Sequence, residues 1–173
     1  MSSNGKRLLA SFFGIHLNED LPQLHSLVPE RVANEIVSGA LPRFKPATIM
    51  LAQNETCHFM DRAALAVQKT EKSYWKRRSG SSYKITKNWT IHSGSGLIKP
   101  VEQSWYEFKE GVIFVTNERI IFVAPKNGFE KKLKKLTAII PYTDAIAFQF
   151  GSETITVVVP QSELIALVIK MLS

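Results

Sequence analysis

Between Gly111 and Val123 two apolar runs, Val112-Ile113-Phe114-Val115 and Ile120-Ile121-Phe122-Val123, flank the polar quartet Thr116-Asn117-Glu118-Arg119. β-Branched and aromatic residues on both sides of so short an interruption predict two antiparallel strands joined by a tight turn, with Asn117 tolerating the turn geometry. The rest of the chain is read outward from this hairpin.

The 173 residues suit one main domain with extensions. A hydrophobic content of 45% excludes a disordered chain, and a net charge of +7 favours anionic partners without requiring nucleic acid. The single cysteine, Cys57, makes no internal disulfide and points to a reducing, cytoplasmic setting, with a buried thiol as its ordinary role. Lys6-Arg7 before Leu8-Leu9-Ala10-Ser11-Phe12-Phe13-Gly14 superficially resembles a leader, but the apolar run is brief and the cleavage pattern poor. No apolar window is long enough for membrane insertion, so any membrane contact is expected to be peripheral.

Residues 1–20 carry no decisive periodicity. From Pro22 to Leu41, Pro29 and Glu30 open an expected amphipathic helix, Val32, Ile36, Val37 and Ala40 recur at helical spacing, and Gly39 and Pro42 stop it. Residues 1–47 thus read as an N-terminal helical extension and linker, and 48–173 as the main domain. In Ile49 to Thr70, strand competes with helix because of the alanines, and Asp61-Arg62 reads as a bend or bulge. Ser79-Gly80-Ser81-Ser82 is a turn, Tyr83 to Ser93 alternates as a strand, and Ser104 to Lys109 adds another before a turn at Glu110-Gly111. Leu136 to Pro141, Ala145 to Phe150 and Thr154 to Val159 are three more strands, the last two forming a hairpin. A terminal helix follows Pro160, with Ser162 as its cap and Glu163 in its first turn. The fold class is mainly β: a strongly bent antiparallel sheet or partly open barrel of about seven strands, a C-terminal capping helix and an N-terminal helical extension.

The block Gly111 to Phe122, a lysine-rich loop, and Ile139-Ile140-Pro141-Tyr142-Thr143-Asp144-Ala145-Ile146 resembles the core pattern of bacterial pleckstrin-homology-like and GRAM-like domains. Leu51 to Cys57, with Glu55, resembles the entry to the bacterial members. The resemblance covers about residues 48–172 and implies a bent seven-stranded sheet with a C-terminal helix, used for phosphoinositide or protein recognition. It makes Thr116, Asn117 and Arg119 supports of the turn. Ala145 departs from the larger or polar residue of many relatives. Members often bind inositol phosphates in the loop between the first two strands, the region that Lys72, Lys76, Arg77 and Arg78 occupy here.

Those four residues, with Tyr74 and Trp75, form the main candidate ligand-binding surface, because a mobile basic loop can approach phosphate while aromatics contact an interface. Lys131, Lys132, Lys134 and Lys135 form a secondary basic surface, with Leu133 and Leu136 anchoring the chain. No catalytic residue, metal site or cofactor is expected: His16, His25, His58 and His92 are scattered, and Cys57-His58 would face opposite sides of a strand, giving a core cysteine and a surface histidine. The leading expectation is a non-enzymatic adaptor-like domain contacting an acidic protein surface or an anionic phospholipid headgroup. The alternatives are a structural or assembly module, homo-oligomeric through the N-terminal helix, and a single-stranded nucleic-acid-binding protein stacking bases on Tyr74, Trp75, Tyr83 and Trp89, which lacks any supporting signature.

Overall fold

The computed structural model describes the backbone of residues 21–73, 75–78, 81–84 and 101–173, and the side chains of 21–70 and 105–173. These residues fall into two compact units, Val67–Glu107 and the remainder, and strands β1 (Cys57–Ser73) and β4 (Val101–Thr116) have residues in both.

In the larger unit, β5 (Arg119–Val123), β6 (Phe129–Lys132), β7 (Ala138–Pro141), β8 (Ala145–Phe150) and β9 (Glu153–Val158) join β1 and β4 in one seven-stranded antiparallel sheet, ordered β6-β5-β4-β1-β9-β8-β7. The sheet is not strongly curled or closed into a true barrel, and β6 and β7 are its open ends. Helix α1 (Glu30–Val37) precedes the sheet and helix α2 (Ser162–Leu172) follows it.

The hairpin of β4 and β5 pairs Val115 with Ile120 and Ile113 with Phe122. Ile113, Val115, Ile120 and Phe122 enter the main core, with Phe59, Ile146 and Phe148 from the sheet and Ile165, Val168 and Ile169 from α2. Phe114 and Ile121 face the other way, into a smaller cluster with Cys57, over which Phe44, Ile49 and Leu51 pack. Burial on both faces explains why these strands read as continuous apolar runs rather than alternating ones.

Four local expectations are corrected. The first concerns Gly111, which makes no turn, because β4 runs unbroken through it. A Cβ on Gly111 would lie 2.2 Å from the Val123 carbonyl oxygen and 2.8 Å from Phe122 Cζ, so glycine is required by the close approach of β5. Asp61 sits inside continuous β1, with no helix there, and is fully buried. Its carboxylate accepts bonds from Ser26 Oγ at 2.8 Å and the Leu27 N–H at 2.6 Å, so it anchors the segment before α1. Burial raises its pKa, against these hydrogen bonds.

Ser162 does not cap α2. Gln161 holds the N-cap position, and the Ser162 hydroxyl donates to the Tyr142 carbonyl, tying the helix to the β7–β8 turn. His58, finally, is buried rather than at the surface. Its Nδ1 lies 2.8 Å from the Pro42 carbonyl, which can only accept, so Nδ1 carries the proton.

Helix α1 begins after Pro29 and ends at Val37, with Ser38 as its C-cap followed by Gly39, whose φ of +89° is the left-handed conformation glycine adopts freely. Val32 and Ile36 belong to the main core, so the apolar stripe of α1 is buried within the chain while Val37 stays exposed.

Candidate functional site

The polar turn of the β4–β5 hairpin is built around Glu55, whose side chain is fully buried. Glu55 Oε1 accepts from Thr116 Oγ1 at 2.7 Å and Arg119 Nε at 2.8 Å, and Oε2 from the Ala52 N–H and Arg119 Nη2, both at 2.9 Å. Four of the five Arg119 N–H groups are engaged, since Nη2 also reaches the Met50 carbonyl at 2.7 Å and Nη1 pairs with Glu130 at 2.9 Å. Burial works to raise the Glu55 pKa, but its bonds from Arg119, the Ala52 N–H and Thr116 hold it below the usual glutamate value. The two carboxylates push the Arg119 pKa further up.

Thr116 Oγ1 accepts from the Arg119 N–H at 2.9 Å, and Asn117 locks the turn onto the chain before β1. Asn117 Oδ1 accepts from the Thr56 N–H at 2.8 Å, and Nδ2 donates to the Asn54 carbonyl at 3.1 Å. The backbone of Asn117 is not left-handed, Asn127 being the non-glycine residue with positive φ among those described. Asparagine is therefore selected at 117 for its carboxamide, not for turn geometry. With its charge shared between the Glu55 and Glu130 carboxylates, Arg119 here serves to hold the strands together.

Beside it lies a depression of about 510 Å³, whose lining includes Glu55, Asn117, Glu118, Arg119, Glu130, Lys132 and Lys134. The sequence reading missed it, because it forms only where the segment before β1, the β4–β5 turn and β6 meet. The identity of Glu55 in the entry pattern was the signal available.

The lysine-rich stretch is not a loop. Lys131 and Lys132 lie on β6, and Lys134 and Lys135 on the short 3₁₀ turn Leu133–Lys135. Leu133 and Leu136 pack on the core as expected. Lys131 pairs with Glu153, whereas Lys132 and Lys134 are exposed, with no ion partner among the described residues.

In the smaller unit, Lys72 lies on β1 and Trp75, Lys76, Arg77 and Arg78 form β2 (Trp75–Arg78), paired antiparallel with β3 (Ser81–Lys84); Tyr74 and Trp89 lie outside the described residues. The basic segment is thus a ribbon rather than a mobile loop, Arg78 pairing with Ser81 across only two residues. The register pairs Lys76 with Tyr83 and Trp75 with Lys84. Between Val67 and Glu107 the sequence carries eight Lys or Arg against three acids, five of the seven excess positive charges of the chain.

No protein-family model and no curated protein matches the chain. Among solved structures it is similar to the Vps36 N-terminal PH domain, at 13% identity and a TM-score of 0.37, over 76% of this chain and 86% of that one. Among the described residues, no group of His, Cys, Asp or Glu could hold a metal ion, and no helix is long and apolar enough to cross a membrane. Cys57 is fully buried, and burial pushes its thiol up to about 11, far from the range of a reactive thiolate.

Proposed function

We propose that this chain is a non-enzymatic, pleckstrin-homology-like binding module, GRAM-like in its hairpin pattern, that acts in the cytoplasm at the periphery of an anionic membrane. The observation that carries this reading is the concentration of five of seven excess charges in the unit containing the β2–β3 ribbon. Lys72, Lys76, Arg77 and Arg78 supply attraction to phosphate, worth about 1 kcal/mol for each basic residue near a negatively charged leaflet. Trp75, among them, suits the headgroup layer, where an amphipathic ring has both a wet and an apolar neighbour.

The arrangement of the sheet and its C-terminal helix supports the fold part of the reading. An acidic protein surface would meet the same charges, but phospholipid is favoured by the mixing of aromatic and basic residues on one short ribbon. Co-sedimentation with vesicles of phosphatidylcholine alone, or mixed with phosphatidylserine, tests it. Binding to the mixed vesicles alone, lost in high salt, is the expected result. Equal, negligible binding to both would rule the lipid out and leave an acidic protein as the partner.

A further inference from the structure

Strand β6 ends the sheet on one side, and its backbone shows which groups it leaves open. The Leu133 N–H donates to the Glu118 carbonyl at 2.7 Å, and the register continues as Arg119 with Lys132, Ile120 with Lys131, Ile121 with Glu130 and Phe122 with Phe129. Antiparallel pairs alternate between bonded and non-bonded, so Lys131 and Phe129 turn their peptide groups toward β5, and Glu130 and Lys132 turn theirs outward. No described residue bonds those outward groups. Side chains on β6 and the 3₁₀ turn after it add a second observation. Lys132 and Lys134 line the 510 Å³ depression without an ion partner among the described residues, while Glu130 is paired with Arg119, which Glu55 also holds.

We infer that the β6 edge is a docking site for an extended acidic peptide of a partner protein, added as an eighth strand. The outward N–H and C=O groups of Glu130 and Lys132 would hold its backbone. An acidic side chain opposite Lys132 would lie between Lys132 and Lys134 at the depression, with a neutral residue two positions away, opposite Glu130. Lysine on an edge strand discourages indiscriminate pairing, and here the same charges make pairing selective for an acidic strand. This site uses β6 and the 3₁₀ turn and is independent of the β2–β3 ribbon.

The backbone provides a clean variant. Lys132 has φ −63° and ψ 131°, the values proline imposes or accepts, and its N–H points away from β5. Lys132→Pro therefore removes an outward donor while sparing the β5 ladder. The probe is an array of short acetylated peptides of strand-forming residues with one central Glu, each beside its Gln counterpart. Binding of the full chain is read by fluorescence and by amide exchange at Glu130 and Lys132.

Selective capture by Glu peptides, slowed exchange at both amides, and at least tenfold weaker binding by Lys132→Pro and by Lys134→Glu are expected. Three results would overturn the inference: Glu peptides binding no better than Gln peptides, binding unchanged in Lys132→Pro, or protection that appears without peptide and grows with protein concentration. The last would assign the edge to a second copy of this chain.

Discussion

Replacing Glu55 by Gln tests whether the polar turn holds the sheet together. The carboxylate accepts four hydrogen bonds, two at each oxygen, from Thr116, Arg119 twice and Ala52. A glutamine keeps one acceptor oxygen and turns an amide toward two donors, so two bonds are lost and like groups face each other. It also leaves Arg119, only 22% exposed, with Glu130 as its counter-charge among the described residues. Removing one member of a buried pair typically costs about 3–5 kcal/mol, and the partial exposure of Arg119 and the retained oxygen lower this to about 2–3 kcal/mol. In a chain of this length that corresponds to a fall in Tm of roughly 4–12 °C, readable by urea and thermal unfolding followed by circular dichroism.

The same site sets a pH dependence. Because the folded pKa of Glu55 lies below its ordinary value of 4.5, its contribution is fully present above that value and is lost as the pH falls through the lower, folded value. Glu55→Gln should abolish that part of the acid sensitivity. A loss below about 0.5 kcal/mol at neutral pH, within the range of ordinary surface substitutions, would refute the reasoning.

Gly111→Ala should cost more than about 2 kcal/mol in urea unfolding, because its Cβ would meet the rigid Val123 carbonyl at 2.2 Å; a neutral result would show that β4 and β5 are further apart. Asn117→Gly should destabilise by about 1–2 kcal/mol, since it deletes two bonds to the chain before β1, whereas a gain in stability would mean that turn geometry governs the position. Ile36→Ala should cost about 2–4 kcal/mol, as expected for a side chain 1% exposed in the main core, and a negligible loss would mark α1 as detachable. Iodoacetamide should modify Cys57 far more slowly in the native protein than in urea; equal rates would contradict the burial of its thiol.

The sheet was legible because its strands carry strong local signals: the runs about Thr116-Asn117-Glu118-Arg119, the Ala145–Phe150 and Glu153–Val158 hairpin, and the stripe of α2. Lost to the sequence reading were features that depend on what lies opposite. Gly111 reads as a turn until β5 is laid beside it, and Asp61 reads as a break in β1 until Ser26 and Leu27 are brought to its carboxylate. Likewise Lys131 and Lys132 read as loop because charged residues carry little strand signal, and pairing with β5 decides the matter. The depression beside Glu55 joins segments more than sixty residues apart, which no local pattern encodes.

The central claim, that the ribbon meets an anionic surface, is tested most directly by the partition constant of the chain on phosphatidylserine-containing vesicles, before and after Lys72, Lys76, Arg77 and Arg78 are all changed to Gln. The expected loss is about 2–4 kcal/mol, roughly thirty- to thousand-fold in the constant. An unchanged constant in a variant that folds normally would contradict the account.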